Sequence, residues 1–512
     1  MFTQPHLHPA WRALRLVLPA LLAVAIALVL LLPGSASTDV LRQSGSSKSA
    51  TQHTVLTVEP KHPGKKLALG AVGLSIEAKE LATQDLSASH RSLVALMRLL
   101  GPGVLRIGGG SVDYSWWTGN DEPAPVWATS VVTPSDLATL DRLLAETGWK
   151  VILGINLGQF DPTRAANEAG AAQHIFGSRL LGFEIGNEPD DYGKLVIKLR
   201  PSSYSPGNYL EELAAYGAAM RATTPRINLY GPDLSSQTWL STIASSKSTS
   251  FAAITQHYYP TTYSLAKGGC KATPVPTALE LLSPQVRELE NVTLQTLVRV
   301  GEIAHSKTRI SETNATGSCD TDGGPETSPV FASALWSLDW ALRATSAGVV
   351  GLNFHGYFGH CAPYTASPIC AESYAAESKG RVSARPEFYG LLAARQLEGG
   401  QFIPIHITEP GTMNDLTAYA TTHPHGEVTV AIDNLATEGP TFIVLKVPGY
   451  DRATGERLVG PATSATSGVT YGQGSINEAG SLRSTGTGLR KVGHAFHLEL
   501  APASAIVIRL HK

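Results

Sequence analysis

The chain has 512 residues, of which 43% are hydrophobic and 16% are charged, and its formal net charge is −2. This length is too great for one ordinary domain, but it suits a barrel of about 250–350 residues with a smaller second domain. The hydrophobic content excludes a disordered chain. The near-neutral charge excludes a global basic field that would bind nucleic acid or a highly sulfated polymer.

The first 37 residues carry the pattern of a secretory signal. Arg12 and Arg15 precede an apolar run from Leu16 to Leu32, and small residues follow at 34–37. Positive charge, apolar run and small residues in this order are typical of a signal peptide. Residues 16–32 also reach the lower limit of a membrane-spanning helix, so an uncleaved anchor is the alternative. We therefore expect a secreted, periplasmic or extracellular protein that touches a membrane only if this segment is retained.

The middle of the chain alternates between strands and helices. A polar, serine-rich stretch at 38–52 predicts a linker, and a lone strand is predicted within 53–68. Over residues 69–398, apolar strands alternate with loops and amphipathic helices. The predicted strands are Gly70–Glu77, Val104–Gly108, Lys150–Asn156, Leu180–Gly186, Ile227–Gly231, Ala253–Tyr258, Thr308–Glu312 and Val349–His355.

Eight strands that alternate with helices predict a (β/α)8 TIM barrel of the α/β class. An open doubly wound sheet shares this alternation, but the GxGxxG phosphate loop that usually follows its first strand is absent. Residues 399–512 contain short alternating runs separated by Gly, Pro, Ser and Thr, which predicts a C-terminal β-sandwich. The strand within 53–68 is a candidate to join that sandwich.

Two carboxylates stand at the ends of opposite barrel strands. Glu188 follows strand four in GFEIGNEPD, and Glu312 ends strand seven in RISETN. Active sites of such barrels lie at the C-terminal ends of the strands. Glycoside hydrolysis requires two carboxyl groups that flank one glycosidic bond, one as an acid and one as a nucleophile or base. Either glutamate alone is as easily a surface carboxylate, but the pair predicts a glycosidase, and a separation of about 5–5.5 Å would imply a covalent intermediate and retention.

Polar neighbours of the two glutamates fit the same hypothesis. Asn187 precedes Glu188 and is able to donate to a sugar 2-hydroxyl, while His257, Tyr258 and Tyr259 end strand six next to Glu312. A tyrosine hydroxyl at that place would keep a nucleophile ionised and oriented.

Three further residues have two interpretations each. Arg106, at the end of strand two, either pairs with a carboxylate at the barrel mouth or forms an internal salt bridge. Trp116 and Trp117 follow the same strand, and they either stack on sugar faces or pack in the core.

A set of motifs resembles one known family. The motifs are GLSIE, LRIGGG, EIGNEPD, QHYY, ETN, DGGPETSPVFASALWSLDWAL and LNFHG. With them the chain resembles glycoside hydrolase family 79, the β-glucuronidase and heparanase group of clan A. The resemblance implies that Glu188 is the acid/base and Glu312 the nucleophile. It also implies substrate-binding roles for a wider set of residues, namely Glu77, Asp113, Asn187, Tyr258 or Tyr259, Gly323, Gly324 and Tyr364. No cofactor is predicted.

Within that set the resemblance gives each residue a partner on the sugar. Glu77 and Asp113 fall where the family contacts sugar hydroxyls. The carboxylate of the uronic acid is expected at the backbone amides of Gly323 and Gly324 and at the hydroxyl of Tyr364.

The four cysteines predict disulfides rather than a metal site. Their spacing matches no C-x-x-C pattern, and export permits disulfides. Cys270 and Cys319 follow adjacent strands, and Cys361 and Cys370 close a short loop, so we expect the pairs Cys270–Cys319 and Cys361–Cys370. No metal site is predicted.

The leading hypothesis is an exo-acting β-glucuronidase whose partner is a glucuronic-acid-containing glycoside or polysaccharide. An endo-glucuronidase that cleaves heparan-like or hyaluronan-like chains is the second reading, and the near-neutral charge argues against heparan. A non-catalytic sugar-binding barrel is the third, and the presence of both Glu188 and Glu312 argues against it.

Overall fold

The computed structural model describes residues 53–83, 85–194, 197–246, 250–262, 264–266, 269–271, 276–317, 327–361, 366–408 and 415–512. The predicted signal or anchor segment and the predicted linker lie outside these ranges. Within them, no helix combines the length and the apolar character needed to cross a bilayer.

Eight parallel strands close into a barrel. They are β1 (Val72–Glu77), β2 (Val104–Gly108), β3 (Lys150–Ile155), β4 (Leu180–Ile185), β5 (Leu229–Leu234), β6 (Ala253–Tyr258), β7 (Lys307–Thr313) and β8 (Leu352–Gly356). Each strand pairs with its neighbours in chain order, and β8 pairs with β1 to close the ring. The predicted TIM barrel is confirmed.

One main helix follows each strand. The helices are α1 (Arg91–Leu100), α2 (Pro134–Thr147), α3 (Pro162–Phe176), α4 (Pro206–Thr223), α5 (Leu240–Ala244), α6 (Pro284–Ile303), α7 (Phe331–Ala347) and α8 (Pro386–Arg395). Local sequence explains several boundaries. Thr133 and Ser205 form capping boxes before α2 and α4, each with a proline in the first turn. Helix α2 ends at Gly148, whose φ of 76° is left-handed and favours glycine.

Shorter elements decorate the barrel. Short pairs of strands are Ser115–Trp117 with Ser130–Val132, Thr261–Thr262 with Thr316–Gly317, Ser264–Ala266 with Gly269–Lys271, and Ile369–Cys370 with Ser383–Ala384. Short helical turns are Ala78–Ala82, Gly110–Tyr114, Gly177–Arg179, Pro189–Asp191, Ala278–Leu281, Tyr374–Glu377 and Pro424–Gly426.

The largest difference from the predicted strands is in β5. The prediction ended this strand at Gly231. The strand instead continues to Leu234 and carries the buried Asp233, which forms a salt bridge with Arg106 inside the barrel. A Gly-Pro pair is often a turn signal, but here the strand continues past it and brings Asp233 to its charge partner.

Two antiparallel-rich sheets form the sandwich. The first has the order Ile405–Thr408, Thr54–Val58, Thr441–Lys446, Ala495–Leu500 and Arg490–Val492. The second has the order Gln401–Ile403, Leu416–Thr422, Val428–Asn434, Ser504–His511, Arg452–Val459 and Thr470–Tyr471, and Thr487–Gly488 also pairs with Arg452–Val459. The N-terminal strand lies parallel to Thr441–Lys446, so the first strand of the described chain belongs to the C-terminal sandwich.

The second sheet packs on the barrel as well as on its partner sheet. Val430 and Ile508 belong to the core between the two sheets, whereas Ala431 and Val507 belong to the barrel core. Strand Val428–Asn434 is consequently buried on both faces. In addition, the Tyr419 hydroxyl donates to Asp339 on α7 at 2.7 Å. The sandwich thus contacts α7, the helix that follows the Glu312 strand.

Candidate active site

Glu188 lies just beyond the end of β4. Gly186 has a φ of 81° and Glu188 a φ of 51°, so the backbone turns sharply at this strand end. A left-handed conformation at a non-glycine residue is uncommon and is often found at functional sites. The Glu188 amide donates to the Asp233 carbonyl at 2.9 Å, which holds the turn. The Glu188 side chain is 27% exposed and faces the barrel mouth.

Glu312 lies on β7, and its side chain is 9% exposed. The Tyr259 hydroxyl donates to one of its oxygens at 2.6 Å, and Arg106 Nη1 donates to the other at 2.5 Å. One carboxylate oxygen of Glu312 and one of Glu188 lie within 4.8 Å of each other. This spacing fits the separation of about 5–5.5 Å in retaining glycosidases better than the roughly 6.5–9.5 Å of inverting ones.

Arg106 is the buried cation beneath the pair. Its side chain is 0% exposed, and Nε donates to Glu184 Oε2 at 2.7 Å. Nη2 donates to Asn187 Oδ1 at 2.9 Å and also to Asp233. Both sequence interpretations of Arg106 therefore hold, since it forms an internal salt bridge and also binds the mouth carboxylate Glu312.

We expect Arg106→Met to lower the free energy of unfolding by about 3–5 kcal/mol, because it leaves Glu184 and Asp233 buried without their cation. Urea unfolding followed by circular dichroism measures this. The control is Arg91→Met. Arg91 forms a salt bridge with Glu146, and its side chain is 76% exposed. That change should cost less than about 1 kcal/mol. Equal losses in the two variants would contradict the central role of Arg106.

His257 lies between Glu188 at the barrel mouth and Asp233 inside the barrel. Its Nδ1 lies 2.9 Å from Glu188 Oε1, and its Nε2 lies 3.0 Å from Asp233 Oδ1. Burial lowers the pKa of His257, but the charges of Glu312 and Asp233 outweigh burial and leave its pKa well above the ordinary value. A protonated ring donates to both carboxylates, so it orients Glu188 from below.

The surroundings separate the pKa values of the two glutamates. Burial raises the pKa of Glu188, and the negative charge of Glu312 adds to this, so the hydrogen bond from His257 does not restore the ordinary value. Burial also acts to raise the pKa of Glu312, but His355, His257, Arg106 and the Tyr259 hydroxyl outweigh it and hold that pKa well below its usual range. One carboxyl thus keeps a proton more readily while the other is ionised, as acid and nucleophile require.

The two predicted tyrosines have different places. Tyr259 contacts Glu312, as described above, whereas the Tyr258 ring packs on Trp340 of α7 with ring centroids 4.7 Å apart. Of the two residues that the resemblance leaves open, Tyr259 is therefore the one in contact with the candidate nucleophile.

Glu77 and His355 form the opposite wall of the site. Glu77 accepts a hydrogen bond from the Ser111 amide at 2.9 Å, and its other oxygen lies 3.5 Å from His355 Nε2. His355 Nδ1 is 3.7 Å from Glu312. Burial opposes ionisation of Glu77, but the hydrogen bond and charge of His355 lower its pKa. Glu77 is thus an ionised acceptor close to the pair.

Asp113 and Asn187 lie on the side of the site where Glu188 is found. The oxygens of Asp113 accept from the Leu157 and Gly158 amides and from the Tyr192 hydroxyl, and Asp113 is 2% exposed. The structure therefore gives Asp113 protein partners, and its predicted contact with a sugar hydroxyl stays a prediction. Arg106 donates to Asn187 Oδ1. This contact orients the Asn187 amide so that its NH2 group is the end available to a substrate.

The residues predicted to bind the uronic acid carboxylate, and one of the two predicted to form the first disulfide, lie outside the described part of the chain. Gly323, Gly324, Tyr364 and Cys319 lie outside the described residues, and so does the side chain of Cys270, so the Cys270–Cys319 pairing stays a prediction. The Cys361–Cys370 disulfide is confirmed, with the two Cα atoms 5.3 Å apart.

Several residues of the site were not predicted from the sequence. Glu184, Ser75 and Ser311 lie on barrel strands and contact Arg106 or Asp233 from inside the barrel. Glu184 offered a signal, because a glutamate within the apolar run LLGFEI has to be buried with a partner. The two serines offered no such signal.

Glu188, His257 and Glu312 each offer one atom within 4.8 Å of the others, a spacing that would suit metal ligands. The chemistry of the donors argues otherwise, since Arg106 already donates to Glu312 and a protonated His257 would repel a cation. The expectation of no metal stays a prediction.

Comparisons with known proteins place the fold among glycosidases. No model of a protein family and no curated protein sequence matches the chain. A 4-O-α-L-rhamnosyl-β-D-glucuronidase from Fusarium oxysporum has a similar structure, with a TM-score of 0.70 at 17% identity over 89% of this chain and 99% of that one. A family 51 arabinofuranosidase from Xanthomonas axonopodis pv. citri has a TM-score of 0.64 at 14% identity, over 90% and 100% of the two chains.

A bifunctional glucanase-xylanase from a metagenome library is a third neighbour, with a TM-score of 0.56 at 11% identity over 90% of this chain and 99% of that one. At such identities the likeness shows the fold. The chain therefore has the fold of glycosidases that differ in their named substrates, so the substrate of this chain has to be argued from its own residues.

Proposed function

We propose that this chain is a retaining glycoside hydrolase in which Glu312 is the nucleophile and Glu188 the general acid/base. The observation that supports this most is the pair itself, with carboxylate oxygens within 4.8 Å and with pKa values displaced in opposite directions. A sugar-binding barrel without catalysis would not need that displacement.

In the first step, a carboxylate oxygen of Glu312 bonds to the anomeric carbon while the glycosidic C–O bond breaks. The Glu188 proton passes to the leaving oxygen, so the aglycone departs as an alcohol. Arg106, at 2.5 Å from one Glu312 oxygen, keeps the nucleophile ionised before attack. Tyr259 fixes the other oxygen and so limits rotation of the carboxylate.

In the second step, water replaces Glu312 on the anomeric carbon, and Glu188 removes its proton. While Glu312 is an ester it carries no charge, so it no longer raises the pKa of Glu188. The hydrogen bond from a protonated His257 then favours ionised Glu188, which becomes the base. Asn187 is placed to bind the 2-hydroxyl through its NH2 group. Two inversions at one carbon give net retention.

For the substrate we propose a β-linked glucuronic acid at the non-reducing end. Two observations support this choice. The motifs resemble family 79, and the Fusarium protein named as a 4-O-α-L-rhamnosyl-β-D-glucuronidase aligns over 99% of its own length. Of the exo- and endo-acting hypotheses, we propose exo action, in which the enzyme removes a terminal glucuronic acid.

The direct test measures p-nitrophenyl β-D-glucuronide, p-nitrophenyl β-D-glucoside and hyaluronan with the same preparation. An exo-β-glucuronidase hydrolyses the first far better than the second, and proton NMR shows the β-anomer of glucuronic acid as the first product. Release of hyaluronan oligosaccharides with little aryl hydrolysis would favour the endo reading. Appearance of the α-anomer first would contradict retention.

We expect Tyr364→Phe to lower kcat/KM on the glucuronide by about 10- to 100-fold, because one charge-assisted hydrogen bond contributes roughly 1.5–3 kcal/mol. On the glucoside the change should be small, since that substrate has no carboxylate. The matched control is Tyr374→Phe, a tyrosine 73% exposed on a neighbouring segment. Equal losses on both substrates would remove Tyr364 from carboxylate recognition.

We expect a bell-shaped pH profile of kcat/KM. Activity requires ionised Glu312, so it falls as the pH drops through that lowered pKa; it also requires protonated Glu188, so it falls as the pH rises through that raised pKa. Glu188→Gln cannot titrate, so with an aryl substrate it should keep the acid limb and lose the alkaline limb. An unchanged alkaline limb in this variant would assign that limb to another group.

We also propose that the protein is exported, either cleaved after its N-terminal signal or tethered by residues 16–32. The Cys361–Cys370 disulfide supports this, since disulfides persist in oxidising compartments. Fractionation of expressing cells distinguishes the cases: soluble extracytoplasmic protein indicates cleavage, membrane-bound protein indicates a tether, and reduced cytosolic protein would contradict export.

A further inference from the structure

A second pocket opens at the same end of the barrel as the two glutamates. It has a volume of about 240 Å³ and lies between the segment after β2, the end of β3 and the first half of α3. Its lining includes Trp116, Trp127, Phe160, Arg164 and Glu168. Phe160 is 53% exposed, so it marks the side on which the pocket meets solvent.

One polar group of this pocket lacks a protein partner. Glu168 is 8% exposed, and its carboxyl makes no hydrogen bond to any described residue. Buried polar groups are nearly always hydrogen-bonded, so a buried carboxyl in the wall of a cavity indicates an occupant that forms hydrogen bonds with it. The Trp116 indole N–H also has no acceptor among the described residues, but it is shielded from solvent and is therefore not a contact for an occupant of the pocket.

The pocket is close to neutral in charge. Arg164 is compensated, because it donates to Asp161 and Glu122 and to the carbonyl oxygen of Trp117. Burial raises the pKa of Glu168 to about 8, with only partial relief from Arg164, so its carboxyl is largely neutral near pH 7. A neutral carboxyl both donates and accepts, as a sugar hydroxyl does.

The remaining walls are aromatic. Trp116 and Trp127 meet edge to face with ring centroids 5.6 Å apart, and Phe160 meets Tyr216 in the same manner at 5.6 Å. Apolar walls with a few convergent polar groups are typical of small-molecule sites. The Arg164 guanidinium covers one face of the Trp116 ring, at 3.5 Å from the ring centroid. A pyranose ring matches the rest of this lining, since it offers C–H faces to the exposed ring of Phe160 and hydroxyls to Glu168.

We propose that this pocket binds one neutral pyranose residue through Phe160 and Glu168, next to Trp116. The volume is far more than the roughly 10–15 Å³ that a single water needs, but it is small for more than one sugar ring. The natural occupant would be a sugar unit of the substrate beyond the cleaved glucuronide. This identity of the occupant rests on the function proposed above. Binding itself does not require catalysis.

The test uses Glu312→Gln protein labelled with ¹⁵N-tryptophan, so that hydrolysis and binding are separated. The probes are methyl pyranosides of glucose, galactose, xylose and rhamnose. We expect at least one to shift the Trp116 indole resonance, assigned with Trp116→Phe, and to saturate with a dissociation constant of about 1 mM or weaker.

Glu168→Leu, which removes both the donor and the acceptor, and Phe160→Ala should each weaken that binding at least tenfold. The matched control is Leu289→Ala, an apolar residue 58% exposed on α6, which should leave it unchanged. Absence of saturation with all four probes, or equal affinity in Glu168→Leu, would show a water-filled pocket and overturn the proposal. If the pocket binds a pyranoside but the wild-type protein has no glucuronidase activity, only the proposed function is contradicted.

Discussion

We expect Glu312→Gln to lower kcat/KM on an aryl β-glucuronide by about 10⁴-fold or more, the order seen when a catalytic nucleophile is removed. The amide is nearly isosteric but cannot form the covalent intermediate. The fold should survive, because Arg106 keeps Glu184 and Asp233 as charge partners. Stopped assays of the initial rate measure the change in kcat/KM, and circular dichroism tests whether the fold is retained.

The control for this change is Glu302→Gln on α6, an exposed glutamate that should lose no activity. A loss of less than about tenfold in Glu312→Gln would show that another group is the nucleophile. A large loss accompanied by unfolding would be separated from a chemical effect by the dichroism spectrum.

The second large effect is expected for Glu188→Ala and depends on the leaving group. General acid catalysis contributes about 10²–10⁴-fold, and it matters most when the leaving oxygen is a poor one. A glucuronide with a sugar aglycone should therefore lose activity over that range, whereas p-nitrophenyl β-D-glucuronide should lose much less in the first step. Comparison of kcat/KM for the two substrates measures the difference.

Azide provides an independent readout of the same role. The cavity left by the shortened side chain admits the anion, which needs no base to attack the glycosyl-enzyme. Azide should raise the turnover of Glu188→Ala and give the β-glucuronosyl azide, identified by NMR. Equal losses on both substrates together with no azide product would exclude Glu188 as the acid/base.

Much of the architecture was accessible from the sequence, because each barrel strand is a short apolar run and several of the main helices have a start signal. Proline and a capping residue mark α2 and α4, and polar residues mark the strand ends. Glu188 and Glu312 could be singled out because the C-terminal ends of strands four and seven meet across the barrel mouth.

The interior of the site was less accessible, since it depends on contacts between residues far apart in the chain. Arg106 has hydrogen-bond partners on β1, β4, β5 and β7 and in the loop after β4, and the local sequence pattern does not specify such a set. The choice between Tyr258 and Tyr259 was open for the same reason. Successive strand-end residues point to opposite sides, and only the packing of Trp340 decides which one faces inward.

The N-terminal strand Thr54–Val58 has a consequence for biosynthesis. Its sheet partners, Ile405–Thr408 and Thr441–Lys446, lie near the other end of the chain. During synthesis or export this strand therefore waits, unpaired, until almost the whole protein has emerged, and pairings of such high contact order form slowly. A chain stopped after the barrel would keep both glutamates but expose an unpaired apolar strand, which favours aggregation. We therefore expect chains truncated before Thr441–Lys446 to aggregate even though they contain the whole barrel.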